Sequence, residues 1–177
     1  MCVPREIRTP VLTVKGWCPR PLDDGDNDAK YPMTFIEYLD LPDVPSNLIE
    51  PLQVVVDKPP RNSWFSKPPF STRDCSPELT VWLRNNITLR KLFHAQYQLV
   101  WTGLRIHKDN GRLEAFNYLL NSGGENIKTL FYDDDKQCLH EEIIPLQRWH
   151  RIDTSRYHNV LVQPNQIRLS ISLTLID

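Results

Sequence analysis

Thirteen of the 15 prolines in this 177-residue chain lie before residue 80, leaving only Pro145 and Pro164 beyond it. Proline fixes φ and removes a backbone donor, so it is excluded from the middle of a hydrogen-bonded ladder. The first half is therefore expected to hold turns and short elements that wrap a core supplied by the second half. Within it, Val54-Val55-Val56 reads as a short buried strand, and residues 33–39 as a half-buried strand or a helical turn. Ser76 can cap a helix, Pro77 suits its first position, and Glu78 favours its positive end. Leu79, Trp82, Leu83 and Ile87 then recur at helical spacing, which predicts a helix over about 77–92.

Beyond residue 94 short strands with turn signals between them should dominate. Gln96 to Ile106 carries Tyr97, Leu99, Val100, Trp101, Leu104 and Ile106, and Leu113 to Leu120 comes next. Asn121-Ser122-Gly123-Gly124-Glu125 is a turn, Thr129 to Tyr132 a strand, Asp133-Asp134-Asp135-Lys136 a solvated hairpin tip, and Cys138 to Ile144 the return. Asp153-Thr154-Ser155 introduces a strand bearing His158, and Gln163-Pro164-Asn165 reverses the chain. The last strand, Gln166 to Leu175, alternates polar and apolar residues without a break, the period of a strand with one wet and one buried face. The fold class is mainly β, a sandwich or jelly roll.

His107-Lys108-Asp109, followed by His158, brings together the residue types that hold a non-haem iron. Two imidazoles and one carboxylate on one face of Fe(II) leave the opposite positions free for a co-substrate and dioxygen. Residues two apart point to the same side of a strand, so His107 and Asp109 can reach one ion while Lys108 points away. Arg168 and Ser170 share the polar face of the last strand. There a guanidinium can grip a carboxylate through two parallel hydrogen bonds and a hydroxyl can donate a third. Each residue also has a plainer explanation: a lone histidine is commonly structural, Arg168 would serve as a surface residue, and Ser170, Ser172 and Thr174 as a solvated sheet face. Their joint occurrence, in this order, favours a metal site.

H-x-D, a distal His and an Arg ten residues on, here His107, Asp109, His158 and Arg168, resemble the motif of the 2-oxoglutarate/Fe(II)-dependent dioxygenase superfamily. Arg168-Leu169-Ser170 looks like the R-x-S element with which several members bind the far carboxylate of 2-oxoglutarate. The resemblance covers roughly residues 95–177. In general texture the chain is similar to small oxygenase-like proteins of marine phages and bacteria. The resemblance implies a double-stranded β-helix (jelly roll) core over 95–177, with 1–94 as a Pro-rich wrap and supporting helix of one single domain, 1–177. It implies Fe(II), 2-oxoglutarate and dioxygen as the reacting set, with His107, Asp109 and His158 on the metal. Arg168 and Ser170 would bind the co-substrate. Asn117 and Tyr118 sit on the strand after the motif, where one of them could donate a hydrogen bond to the co-substrate or substrate, and Asn117 is preferred. The implied outcome is hydroxylation of an unactivated C–H bond, and retention of Asp109 argues against halogenation.

Net charge is -1, from 21 basic and 22 acidic side chains, so the overall balance demands neither nucleic acid nor an anionic membrane. Residues 57–91 mix Lys58, Arg61, Lys67, Arg73, Arg84, Arg90 and Lys91 with Trp64, Phe65 and Phe70. That is a pattern able to bind nucleic acid, but more simply a solvated face with core aromatics. A peptide side chain or small metabolite is thus preferred as substrate. No signal-peptide or membrane-length apolar run is present, and a cytoplasmic location is expected. Cys2, Cys18, Cys75 and Cys138 have no zinc-like spacing and are expected as free thiols. His94, His140 and His150 are expected to be structural or exposed, and Asp153 to form a turn rather than orient His158. Two other classes remain open: a cupin-like metal enzyme that does not use 2-oxoglutarate, and a non-catalytic jelly-roll binding module.

Overall fold

The computed structural model describes residues 34–61 and 69–176; Cys2, Cys18, Met33, Trp64, Phe65 and Lys67 lie outside them. Strand β1 (Ile36–Tyr38) is followed by a 3-10 turn at Ser46–Leu48, helix α1 (Leu52–Asp57), β2 (Phe70–Asp74) and helix α2 (Pro77–Asn86). Then come β3 (Phe93–Val100), β4 (Leu104–His107), β5 (Glu114–Ser122), β6 (Thr129–Tyr132), β7 (Cys138–Glu142), β8 (Trp149–Asp153), β9 (Tyr157–Val160) and β10 (Arg168–Leu175). They form two antiparallel sheets, one of six strands in the order β1-β8-β5-β10-β3-β2 and one of four in the order β4-β9-β6-β7. From β3 onward the chain crosses between sheets at every step except the β6–β7 hairpin. None of the helices among the described residues is long and apolar enough to cross a membrane.

The α2 start follows its sequence signals. The Ser76 side chain accepts from Leu79 N at 3.1 Å, and Pro77 occupies the first turn. The helix stops at Asn86, short of the expected end. Ile87 is extended at φ -104, so it reaches the core from outside the helix. Val54-Val55-Val56 is not a strand but the middle of α1, where only Val55 is buried. Pro51 sets the helix entry, and Gln53 Nε2 donates to Asp57 Oδ1 four residues on at 2.9 Å, an interaction that only the helical spacing allows.

One face of the six-stranded sheet carries the main apolar core. Tyr97 and Leu99 on β3, Leu169, Ile171 and Leu173 on β10, Phe116 and Tyr118 on β5 and Trp149 on β8 pack with Leu79, Leu83 and Val55 of the helices. Each such side chain removed from water contributes about 1.5–3 kcal/mol. The other face of the same strands is polar yet also buried. Arg168, Ser170, Ser172, Asn117 and His150 are all less than a tenth exposed, because the four-stranded sheet covers them. The alternation of β10 therefore separates an apolar core from a polar interior rather than from solvent. Leu119, Phe131, Ile144 and Ile152 form one apolar cluster beside that interior, and Val100, Ile127 and Val160 another.

The segment expected as one strand from Gln96 is split at Trp101-Thr102-Gly103, where the chain passes from the larger sheet to the smaller. Gly103 has φ +70, and a Cβ there would stand 2.7 Å from Val160 O. Only glycine allows β4 to leave β3 this close to β9.

Candidate metal centre

A β-bulge aims the first candidate ligand. On the β4–β9 ladder Leu104 pairs with Val160 and His107 with His158, so three steps on β4 match two on β9. In regular register Ile106 would share the inner face with Leu104. The extra residue turns Ile106 outward and His107 inward. The two imidazoles then face each other as cross-strand partners, with ring centroids 4.4 Å apart. Asp109 lies just beyond β4, where its backbone N–H donates to Thr154 O at 3.1 Å. One ligand atom from each of His107, Asp109 and His158 falls within 4.8 Å of the others, so the triad can hold a metal ion.

The tautomers are fixed by backbone carbonyls, which only accept. His107 Nδ1–H donates to Arg105 O at 2.7 Å and His158 Nδ1–H to Arg156 O at 2.9 Å, leaving both Nε2 lone pairs for a ligand. His107 Nε2 lies 3.5 Å from Asp109 Oδ1. That carboxylate raises the His107 pKa, whereas burial lowers that of His158. Burial alone would push the Asp109 carboxyl up, but the His107 ring and the Arg112 guanidinium outweigh it and hold it at about 2. Asp109 is thus an anion, and His158 is biased to the neutral form that ligates metal. Two nitrogens and one oxygen, with free lone pairs and an anionic carboxylate, suit a divalent ion of intermediate hardness.

His158 is the member of the triad that lines a cavity between the sheets, whose walls also include Arg168, Ser170, Asn117, His150 and Arg112. Arg168 is 9% exposed, and burial pushes its pKa down to about 10, so it remains a cation at neutral pH. Among the described residues no carboxylate pairs with it. Ser170 and Asn117 share its sheet face, and Asn117 Oδ1 is buried without a partner. Tyr118, one residue on, faces the helices and packs against Trp149 instead.

His150 and Arg112 enter the site without having been expected there. Of the two expectations for His150, structural or exposed, exposure is excluded: it is 1% exposed in the cavity wall, paired in register with Asn117. Its Nδ1–H donates to Arg148 O at 3.1 Å, and burial pushes its pKa down to about 4. Strand β8 itself escapes pattern reading because its helix-side face carries Trp149, Arg151 and Asp153, and its cavity-side face His150 and Ile152, so neither period is clean. Arg112 gave one signal, a basic residue three positions after the ligand carboxylate.

The remaining candidates stand away from the triad. His140 Nε2 lies 3.1 Å from Glu142 Oε2, and the ring stacks on Phe35. His94 is 3.7 Å from Asp74. Asp153 Oδ1 accepts from Ser155 N and Oγ, bracing its turn, while His158 is oriented by Arg156 O. Lys108 points away from the triad to Asp134 at 3.0 Å, tying the acidic hairpin tip to the ligand loop. In the basic segment Lys58 pairs with Glu50, Arg61 with Asp74 and Arg90 with Glu114, and Arg73 is buried. Cys75 is buried and Cys138 exposed, both as free thiols. In comparisons with known proteins, the chain matches no family model and no curated sequence.

Proposed function

We propose that the protein is an Fe(II)- and 2-oxoglutarate-dependent oxygenase, built on a double-stranded β-helix, that hydroxylates an unactivated C–H bond of a peptide side chain or small metabolite. Arg168 carries the proposal. A buried guanidinium without a carboxylate costs several kcal/mol, a cost hard to account for unless an anion completes the site. It lines the same cavity as His158, one member of a triad able to hold a metal. A keto acid with a second carboxylate matches both features, one end toward the metal and the other toward the guanidinium. The strand order supports the jelly-roll reading: β8-β5-β10-β3 and β4-β9-β6-β7 are filled by a chain that alternates between sheets.

In this reading His107 and His158 offer Nε2 and Asp109 offers Oδ1 to Fe(II). The bound metal, with 2-oxoglutarate and dioxygen, would supply the oxidising power while the keto acid loses carbon dioxide and leaves as succinate. The chain's own residues do the rest. Arg168 takes the far carboxylate through two parallel hydrogen bonds, Ser170 Oγ adds a third, and Asn117 contributes its amide. His150 stays neutral, so it adds no competing charge to the wall. The flanking apolar clusters keep bulk water from the reacting end.

The test is succinate release across a panel of peptides and metabolites, with Arg168→Ala beside the wild type and metal content measured for both. Metal bound by both proteins, with succinate formed at low 2-oxoglutarate only by the wild type, is expected. Equal succinate formation by Arg168→Ala would remove the clamp. Metal binding without any use of 2-oxoglutarate would favour the cupin-like enzyme, and absence of metal binding the inert module.

A further inference from the structure

We infer that Arg112 is a positioning residue that holds Asp109 as a one-oxygen ligand and so keeps a coordination position open. Arg112 Nε donates to Asp109 Oδ2 at 2.9 Å and its Nη2 to the same oxygen at 2.5 Å. Both bonds fall on one oxygen, leaving Oδ1 as the atom turned toward His107 Nε2. The backbone on either side of the pair is itself held in place. Thr154 Oγ1 donates to Arg112 O at 2.8 Å, Thr154 N donates to Leu113 O at 3.0 Å, and Asp109 N donates to Thr154 O at 3.1 Å. Thr154 is 2% exposed. The loop carrying both Asp109 and Arg112 is therefore anchored to the β8–β9 turn through one buried residue.

The consequence rests on the proposed oxygenase reading and follows from counting positions. Carboxylates bind hard cations through one oxygen or through two. On an octahedral ion, two imidazoles and a one-oxygen carboxylate leave three positions, enough for a chelating keto acid and dioxygen. A two-oxygen carboxylate leaves two, which the keto acid alone would fill. Arg112 occupies the lone pairs that the second mode needs. Its hydrogen bonds go to Asp109, so its loss is felt at the metal rather than at the far carboxylate.

The experiment loads wild type, Arg112→Ala, Arg112→Lys and Arg168→Ala with Co(II), whose visible absorption reports coordination number, and then titrates each with 2-oxoglutarate. Arg112→Ala is expected to show a changed Co(II) spectrum before any keto acid is added, and about tenfold or more weaker 2-oxoglutarate binding. Arg112→Lys, which can still donate to Oδ2, should restore most of the wild-type spectrum. Arg168→Ala should keep the wild-type Co(II) spectrum and lose only the keto acid. A wild-type spectrum in Arg112→Ala, or no rescue by lysine in a variant whose melting curve shows it folded, overturns the inference. If the wild type ignores 2-oxoglutarate while Arg112→Ala still alters the Co(II) spectrum, the oxygenase reading fails and Arg112 keeps its role.

Discussion

Arg168 is the residue whose energetics are most at odds with stability alone. It replaces what would otherwise be apolar lining with a cation that burial disfavours. Arg168→Met is therefore expected to raise the melting temperature of the ligand-free protein by a few degrees, or leave it unchanged, while abolishing stabilisation by 2-oxoglutarate. Thermal denaturation with and without the keto acid measures both; a large loss of ligand-free stability would mean that Arg168 has a structural partner. His150 makes a separate pH prediction. Its folded pKa of about 4 lies below the ordinary histidine value of about 6.5, so the unfolded chain takes up the proton first as pH falls. Stability from this residue is complete above about pH 6.5, declines toward pH 4, and totals on the order of 3 kcal/mol. Urea titrations of wild type and His150→Gln at several pH values should show a gap that changes over that window and nowhere else. At the metal, His107→Ala or His158→Ala should weaken Fe(II) binding by more than the ~10–100-fold typical of losing an outer partner.

At the scale of elements, the turn at Gly103 and the bulge in β4 together decide whether His107 reaches the site. Gly103→Ala forces a non-glycine residue into φ +70 and a 2.7 Å contact with Val160 O. Destabilisation of about 1–3 kcal/mol is expected, with a matching fall in metal affinity because β4 and β9 would part. Denaturant melts and metal titration of the same variant check the two halves of that statement. Neither device is visible as a pattern in the sequence, since a bulge is a relation between two strands. What was legible had a local cause: the Ser76 cap, the Thr129–Tyr132 strand and the alternation of β10 each follow from a handful of neighbours. Val54-Val55-Val56 misled because β-branched residues favour strands only weakly, and the flanking Pro51 and the Gln53–Asp57 pair decide for a helix. The candidate triad His107, Asp109 and His158 could be read from order and spacing, and the three are brought together so that they could hold a metal ion. His150 could not, because a neutral buried histidine has the same local sequence as an exposed one.

For the whole molecule, the separation of two interiors matters most. The helix side of the larger sheet carries Leu79, Leu83, Tyr97, Ile171 and Leu173, all fully buried, and supplies the stability of the fold. The side facing the smaller sheet gives up apolar packing to hold Arg168, Ser170, Asn117 and His150, and the smaller sheet and the loop after β4 carry the triad. A rigid apolar core thus supports a polar cavity whose residues need not stabilise the fold themselves. If the proposed function holds, metal and keto acid should each stabilise the folded protein by mass action. The most direct measurement is an anaerobic titration of the Fe(II)-loaded protein with 2-oxoglutarate, followed by visible absorption. A charge-transfer band that grows to saturation in the wild type, and is absent from His107→Ala and Arg168→Ala at the same concentration, is the expected result. Iron bound by the wild type with no band at saturating keto acid, or a band unchanged in Arg168→Ala, would contradict a shared site for metal and co-substrate.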